Sequence, residues 1–321
     1  MPVVPKLITM VGLITAAMAA GYVARRTGLV RESAARGIMT FMATGGYPPI
    51  GFLSIWGIRL VAADAVLPVA GAVHAVCMMA LGLGVGRLVT RQRAERGLFA
   101  VASGVANHGI TMGGFVLFLL FGEAGLARSS IYTLMFWPVA VFLGYPVSRH
   151  HATDGGGVSL GRLYVRSVFD VRSIGLVTYT VAIALSASGV ARPAIVARSH
   201  VIDILVFTLV PVAYFAIGLR LHASGLRPAA KLVVALAAVR FGGGLAVGSA
   251  LLALIAWGPW PLVGLSRDVF LVQAFVPTAV MLVAMANMFG LRPRTASLLF
   301  VANTLIYLAG VLPWVLWAFG T

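Results

Sequence analysis

The sequence predicts an all-α membrane protein of ten transmembrane helices, built as a 5+5 inverted repeat with interrupted fourth and ninth helices. Three observations predict it. Apolar residues are 60% of the 321 and charged residues only 10%, with a mean hydropathy of +1.01. Soluble domains carry about 25% charged residues, so most of this surface cannot face water. The apolar residues fall into blocks of roughly 18–25, the helix length that crosses about 30 Å of hydrocarbon, without the alternation of barrel strands. Basic residues punctuate these blocks unevenly, and the second half of the chain repeats signals found in the first.

The spans are expected at 7–24, 37–56, 65–86, 98–121, 129–147, 173–190, 203–219, 231–256, 269–289 and 296–318. Span one lies between Lys6 and the pair Arg25-Arg26. A basic pair directly after the apolar run suits a retained helix rather than a cleaved leader. Span two carries Pro48 and Pro49 and ends Gly57-Ile58-Arg59-Leu60; span seven carries Pro211 and ends Gly218-Leu219-Arg220-Leu221. Span three holds His74 and Cys77, the single cysteine, so no internal disulfide forms. Spans four and nine end Leu120-Phe121-Gly122 and Met288-Phe289-Gly290, and spans five and ten hold Trp137-Pro138 and Pro313-Trp314. These coincidences come in the same order in both halves. They define a first repeat at 1–148, a cytoplasmic linker at 149–172 and a second repeat at 173–321. The linker's His150 and His151 have only Asp154 nearby, which favours a solvated loop over a metal site.

Orientation follows from the positive charges. Segments after odd-numbered spans hold 17 of the 24 Lys and Arg, and segments after even-numbered spans hold five. The positive-inside rule then puts odd segments in the cytoplasm and both termini outside the cell membrane. The same distribution explains the net charge of +16, since a nucleic-acid surface would gather arginines on one face.

Two spans contain helix breakers near their middles. Span four has Asn107-His108-Gly109 followed by Gly113-Gly114, and span nine has Pro277-Thr278. Glycine loosens helix, and proline removes a donor and clashes with the preceding turn. Unwound backbone is tolerated in a membrane only where it lines a cavity or binds something, and half-helix N-termini attract anions. The bland alternative is that Gly109, Gly113 and Gly114 merely allow close helix packing. Gly82 with Gly86, and Gly244 with Gly248, are read as packing pairs. All eight acidic residues fall in loops or at span ends, which argues against a midplane carboxylate relay. Arg240 is the one basic residue deep inside a span, where a cation costs at least about 2.5–3.5 kcal/mol. Either a bound anion or exposed backbone carbonyls offset that cost. His74 stands at the comparable place in span three. His108 at the first break is the best-placed titratable side chain, and Asn107 offers both a donor and an acceptor to a carboxylate.

Several segments resemble a known family. Gly21-Tyr22, Arg25-Arg26, Gly28-Leu29 and Pro48-Pro49 are similar to the start of bacterial members of the auxin efflux carrier family. Asn107, Gly109 and the run Phe121-Gly122-Glu123-Ala124-Gly125-Leu126 resemble its fourth helix and following loop. Pro277-Thr278-Ala279 and Phe289-Gly290 resemble its ninth and tenth helices. The resemblance implies crossing fourth and ninth helices, with Asn107 and Pro277 at the crossover, and transport of auxin-like or small mono- and dicarboxylate anions. The family commonly has proline seven residues after the asparagine, where this chain has Gly114. Bile acid:sodium symporters share the architecture, but the lack of a midplane carboxylate favours the first family.

The expected function is therefore a secondary carrier of a small organic anion working by alternating access. Asn107, His108, Gly109, Arg240, Pro277 and Thr278 are the expected substrate-binding residues. Pro48, Pro49, Gly113, Gly114 and Pro211 are the expected crossover or hinge positions. The alternatives are a sodium-coupled symporter of the bile acid type and a membrane sensor or assembly partner that binds without transporting. Coupling is open between a uniporter and proton symport through His108. No catalytic residues, metal or cofactor are expected. The expected partners are the anion and the lipid bilayer; a homodimer is one arrangement the sequence allows.

Overall fold

In a chain this apolar, backbone N–H and C=O groups must find partners within the chain, and helices supply them locally. The structure is a computed structural model that describes residues 3–152, 159, 161, 162, 164, 165, 174–221 and 226–320. Among these residues the regular structure is helical, apart from one isolated β-bridge. Five stretches, Ala62–Val89, Gly113–His151, Val201–Gly218, Ala229–Ile255 and Pro293–Phe319, are long and apolar enough to cross a membrane, as in an integral membrane protein.

The helices in chain order are α1 (Val3–Arg26), α2 (Ala34–Phe41), α3 (Tyr47–Trp56), α4 (Ala62–Val89), α5 (Arg93–Gly104), α6 (Gly113–Tyr132), α7 (Phe136–Val139) and α8 (Tyr145–His151). They continue with α9 (Ile174–Ala187), α10 (Ala194–Arg198), α11 (Val201–Gly218), α12 (Leu226–Ala237), α13 (Gly244–Ile255), α14 (Gly264–Ala274), α15 (Met281–Phe289), α16 (Pro293–Ile306) and α17 (Leu312–Phe319). The positions expected as spans are largely helical, with three differences. Of the region expected to separate spans four and five, 122–128, the break falls at Gly122 and residues 123–128 are helical. The chain turns there on Gly122 alone, whose φ of 62° and ψ of −149° suit a residue without Cβ. Arg128, which suggested a loop, is instead held by Asp64 at 2.8 Å. His150 and His151 close α8 rather than sitting in a loop, and His151 Nδ1 donates to Val147 O at 2.9 Å. Most of the linker, with Asp154, glycines 155–157, Arg166 and Arg172, lies outside the described residues.

The third difference concerns prolines. Three π-helical turns, Met42–Gly46, Ala140–Gly144 and Tyr307–Val311, each precede a proline by two residues: Pro48, Pro146 and Pro313. A proline leaves the carbonyl four residues earlier without its donor. Those carbonyls, on Thr44, Phe142 and Ala309, all fall inside the widened turns. Pro146 and Pro313 thus share a local geometry that Pro138, inside α7, lacks. A fourth π turn, Ala238–Gly243, has no proline after it and carries Arg240.

Packing brings helices into backbone contact through glycine. α1 lies along α11, where a Cβ on Gly21 would strike Phe215 O and one on Gly218 would strike Met18 O. α3 lies along α9, with Gly51 under the Tyr179 ring. α4 packs on α5, where a Cβ on Gly82 would come 2.6 Å from Ser103 Oγ, and α13 packs on α14, where one on Gly248 would come 2.8 Å from the Cβ of Ala274. The packing reading of these glycines therefore accounts for their position. It does not extend to Gly109, where an added Cβ meets nothing within 4 Å.

Candidate functional site

Both interrupted spans are open at comparable places. α5 stops at Gly104 and α6 begins at Gly113; α14 stops at Ala274 and α15 begins at Met281. The two unwound segments meet as an antiparallel pair bridged at Ala106 and Thr278. Asn107 N donates to Pro277 O at 2.7 Å, and Ala279 N donates to Val105 O at 3.0 Å. Backbone groups freed by one break are thus satisfied by the other, which meets the membrane's demand without continuous helix.

Side chains fix each segment. In the first, Thr111 Oγ1 donates to Asn107 Oδ1 at 2.7 Å, and Gly113 N donates to Asn107 O at 3.0 Å. Gly114 N donates to Gly109 O at 2.9 Å. A proline at 114 would lose that bond, which gives Gly114 a local reason. In the second, Thr278 N donates to Asn303 Oδ1 at 2.9 Å, and Thr278 Oγ1 donates to Val105 O at 3.3 Å. Asn303 Nδ2 is buried with no hydrogen-bond partner among the described residues.

His108 is buried and bonded on two sides to Gln273. Its Nδ1 pairs with Gln273 Oε1 at 3.1 Å, and its carbonyl accepts from Gln273 Nε2 at 3.0 Å. A carboxamide oxygen only accepts, so Nδ1 carries the proton in this pairing. Gln273 Nε2 also donates to Ser129 Oγ at 2.7 Å. Gly113 makes room for this amide, since a Cβ there would overlap Gln273. The His108 ring packs against Tyr132, with centroids 4.9 Å apart. A cavity of about 20 Å³ adjoins them, lined among others by Gly71, Gly104, His108 and Tyr132. It has room for about one water.

Arg240 is 1% exposed. Nη1 donates to Ser103 O at 2.8 Å, Nε to Val276 O at 3.2 Å, and Nη2 to Val276 O at 2.6 Å and Ala274 O at 3.4 Å. Of the two accounts open for this cation, the bonds are those of backbone carbonyls. His74 Nε2 stands 3.2 Å from Gly244 O, just past the π turn that bears Arg240.

Asn107, His108, Gly109, Pro277 and Thr278 therefore come together at the crossover, with Arg240 behind it. Gly113 and Gly114 open α6 rather than lying in the break. Pro48 and Pro49 start α3, and Pro211 sits inside α11, all away from the bridge. Sequence reasoning missed Gln273, Ser129, Asn303 and Ser103. The first three are polar side chains within apolar spans, a signal that a search centred on charged residues and the helix breaks passes over. A larger hollow, of about 640 Å³, lies between segments 56–60 and 186–197 and carries Arg59 and Arg192. Arg192 there holds Glu123 and, at 2.9 Å, Leu53 O. Among the described residues no three His, Cys, Asp or Glu side chains gather as a metal site requires. Comparison with protein-family models gave no match, and comparison with curated proteins gave none.

Proposed function

We propose that the chain is a secondary carrier for a small organic anion, a mono- or dicarboxylate, of the kind moved by the auxin efflux carriers it resembles. Its ten spans form a 5+5 inverted repeat with both termini outside. The observation that carries this reading is the antiparallel bridge between two unwound segments buried within apolar helices. Half-helices α6 and α15 start from that bridge, and helix N-termini favour a carboxylate beside Asn107, His108 and Thr278. A pair of glycines supports the repeat: Gly28 and Gly189 follow α1 and α9 with φ of 76° and 74°. The glycine contacts of α1 with α11 and of α3 with α9 define a group that moves against the rest, with Pro48, Pro49 and Pro211 as points of flexure. The cavity beside His108 is too small for a carboxylate, so substrate binding there requires the crossover to open.

Reconstitution into proteoliposomes with a panel of labelled mono- and dicarboxylates tests the proposal. Saturable uptake of at least one, reduced about tenfold by Asn107→Ala or Thr278→Ala, is the expected result. Binding without flux would establish the sensor instead. Neither binding nor flux across the panel would overturn the reading.

A further inference from the structure

The carbonyls around Arg240 come from the ends of two helices that run to the crossover from different parts of the chain, and from the unwound segment that follows one of them. Ser103 lies in the last turn of α5, Ala274 is the last residue of α14, and Val276 is two residues into the second break. The last four carbonyls of a helix lack intrahelical partners, and about half a negative charge collects at each C-terminus. Two such ends converging in a membrane interior amount to about one unit of negative charge. One guanidinium, 1% exposed, supplies the matching positive unit, and each of its three nitrogens donates to one of these carbonyls. Among the described residues no carboxylate pairs with it in the ion pairs of the structure. The helix bearing it is widened by a π turn that no proline accounts for. Past that turn Gly244 lets α13 sit directly on Ala274 O.

Half-helix C-termini and unwound carbonyls form the ligand set with which carriers of broken-helix design hold a monovalent cation. We propose that Arg240 is a tethered cation filling such a site: the chain supplies its own positive charge where two half-helix C-termini meet, and the crossover assembles without a free ion. On the carrier reading above, transport is then uncoupled from sodium. Arg240 is a positioning residue that sets the relative placement of α5 and α14, and with them the two unwound segments.

The test is thermal unfolding of purified protein in detergent, which needs no substrate and is therefore independent of whether transport is found. The wild type is compared with Arg240→Ala at matched ionic strength in choline, sodium and guanidinium chloride, the last well below denaturing concentrations. The wild type is expected to melt at the same temperature in choline and in sodium. Arg240→Ala is expected to melt about 5–10 °C lower in choline and to regain at least half of that loss, saturably, in guanidinium or sodium. Three results would overturn the proposal. They are an Arg240→Ala melting point equal to wild type, a lowered one that no monovalent cation raises more than it raises wild type, and a wild type stabilised by sodium over choline. If Arg240→Ala does not fold, Arg240→Lys and Arg240→Met decide the matter. The lysine variant keeps the charge and should fold, the neutral variant of similar length should not, and equal stability of the two would sink the idea.

Discussion

Replacing Gln273 by methionine tests whether the polar bonds at the crossover hold it together. The substitution keeps length and volume, so no large cavity opens and the effect isolates hydrogen bonding. Three bonds vanish: those to His108 Nδ1, to His108 O and to Ser129 Oγ, at 3.1, 3.0 and 2.7 Å. Interhelical side-chain bonds in membranes average about 0.6 kcal/mol, which sets a floor near 2 kcal/mol for three. Gln273 is fully buried and His108 5% exposed, so no bulk water replaces the lost partner. A buried group left unsatisfied costs about 1–3 kcal/mol, and the His108 ring N–H becomes one. The expected loss is therefore about 2–5 kcal/mol. Asn287→Leu is the control, because that exposed amide makes a bond within its own helix, to Val283 O, and its loss should cost at most about 0.5 kcal/mol. Equilibrium unfolding in mixed micelles, followed by far-ultraviolet circular dichroism, gives both values. A Gln273→Met protein within about 0.5 kcal/mol of wild type would show that these bonds contribute nothing net.

Gly21→Val and Gly218→Val should each destabilise by about 1–3 kcal/mol or more, because their added atoms meet backbone oxygens that cannot step aside, whereas Gly12→Ala, with nothing within 4 Å, should be neutral or stabilising by up to about 1 kcal/mol; the same unfolding titration ranks the three. Arg128→Met leaves Asp64, 2% exposed, without its cation, and should cost about 3–5 kcal/mol, while the double variant Asp64→Asn, Arg128→Met should recover part of it. In a Cys77→Ala background, a cysteine at Ser33 should react with an impermeant maleimide only from the cytoplasm and one at Ser199 only from outside; reaction from the same side would end the ten-span arrangement.

Much of the helix placement was legible because composition alone dictates it. The expected span 296–318 and the observed Pro293–Phe319 differ by a few residues at one end and one at the other. The break after span four was legible at Gly122, but the helix that follows at once was not, since glycine, glutamate and arginine in close succession read as a loop wherever their charges face solvent. Here Glu123 meets Arg192 and Arg128 meets Asp64, so charge is neutralised across segments and the helix starts sooner. The π turns were half legible. Proline marks three of them, and the reason is the missing donor. Ala238–Gly243 has no such marker, because a change from i→i+4 to i→i+5 bonding leaves composition and hydropathy untouched.

The site divides along the same line. Asn107, Pro277 and Thr278 stood out because breakers and amides are costly in an apolar helix unless something local uses them. Which segment Asn107 would bond to could not be read, since Pro277 takes part through its carbonyl, a group every residue has. Arg240 makes the point most sharply. Its identity and depth required a counter-charge, and with the acidic residues expected in loops or at span ends, a bound anion and exposed backbone carbonyls both stayed open. Backbone dipoles supply the negative charge, and they leave no residue-type signature. They become visible only when two helix C-termini are known to converge. It follows that a buried arginine without an acidic partner points to a ligand only after the neighbouring helix ends have been located. In this chain the carbonyls of Ser103 and Ala274 at those ends, with that of Val276 just past the second, account for four of the guanidinium's five N–H groups.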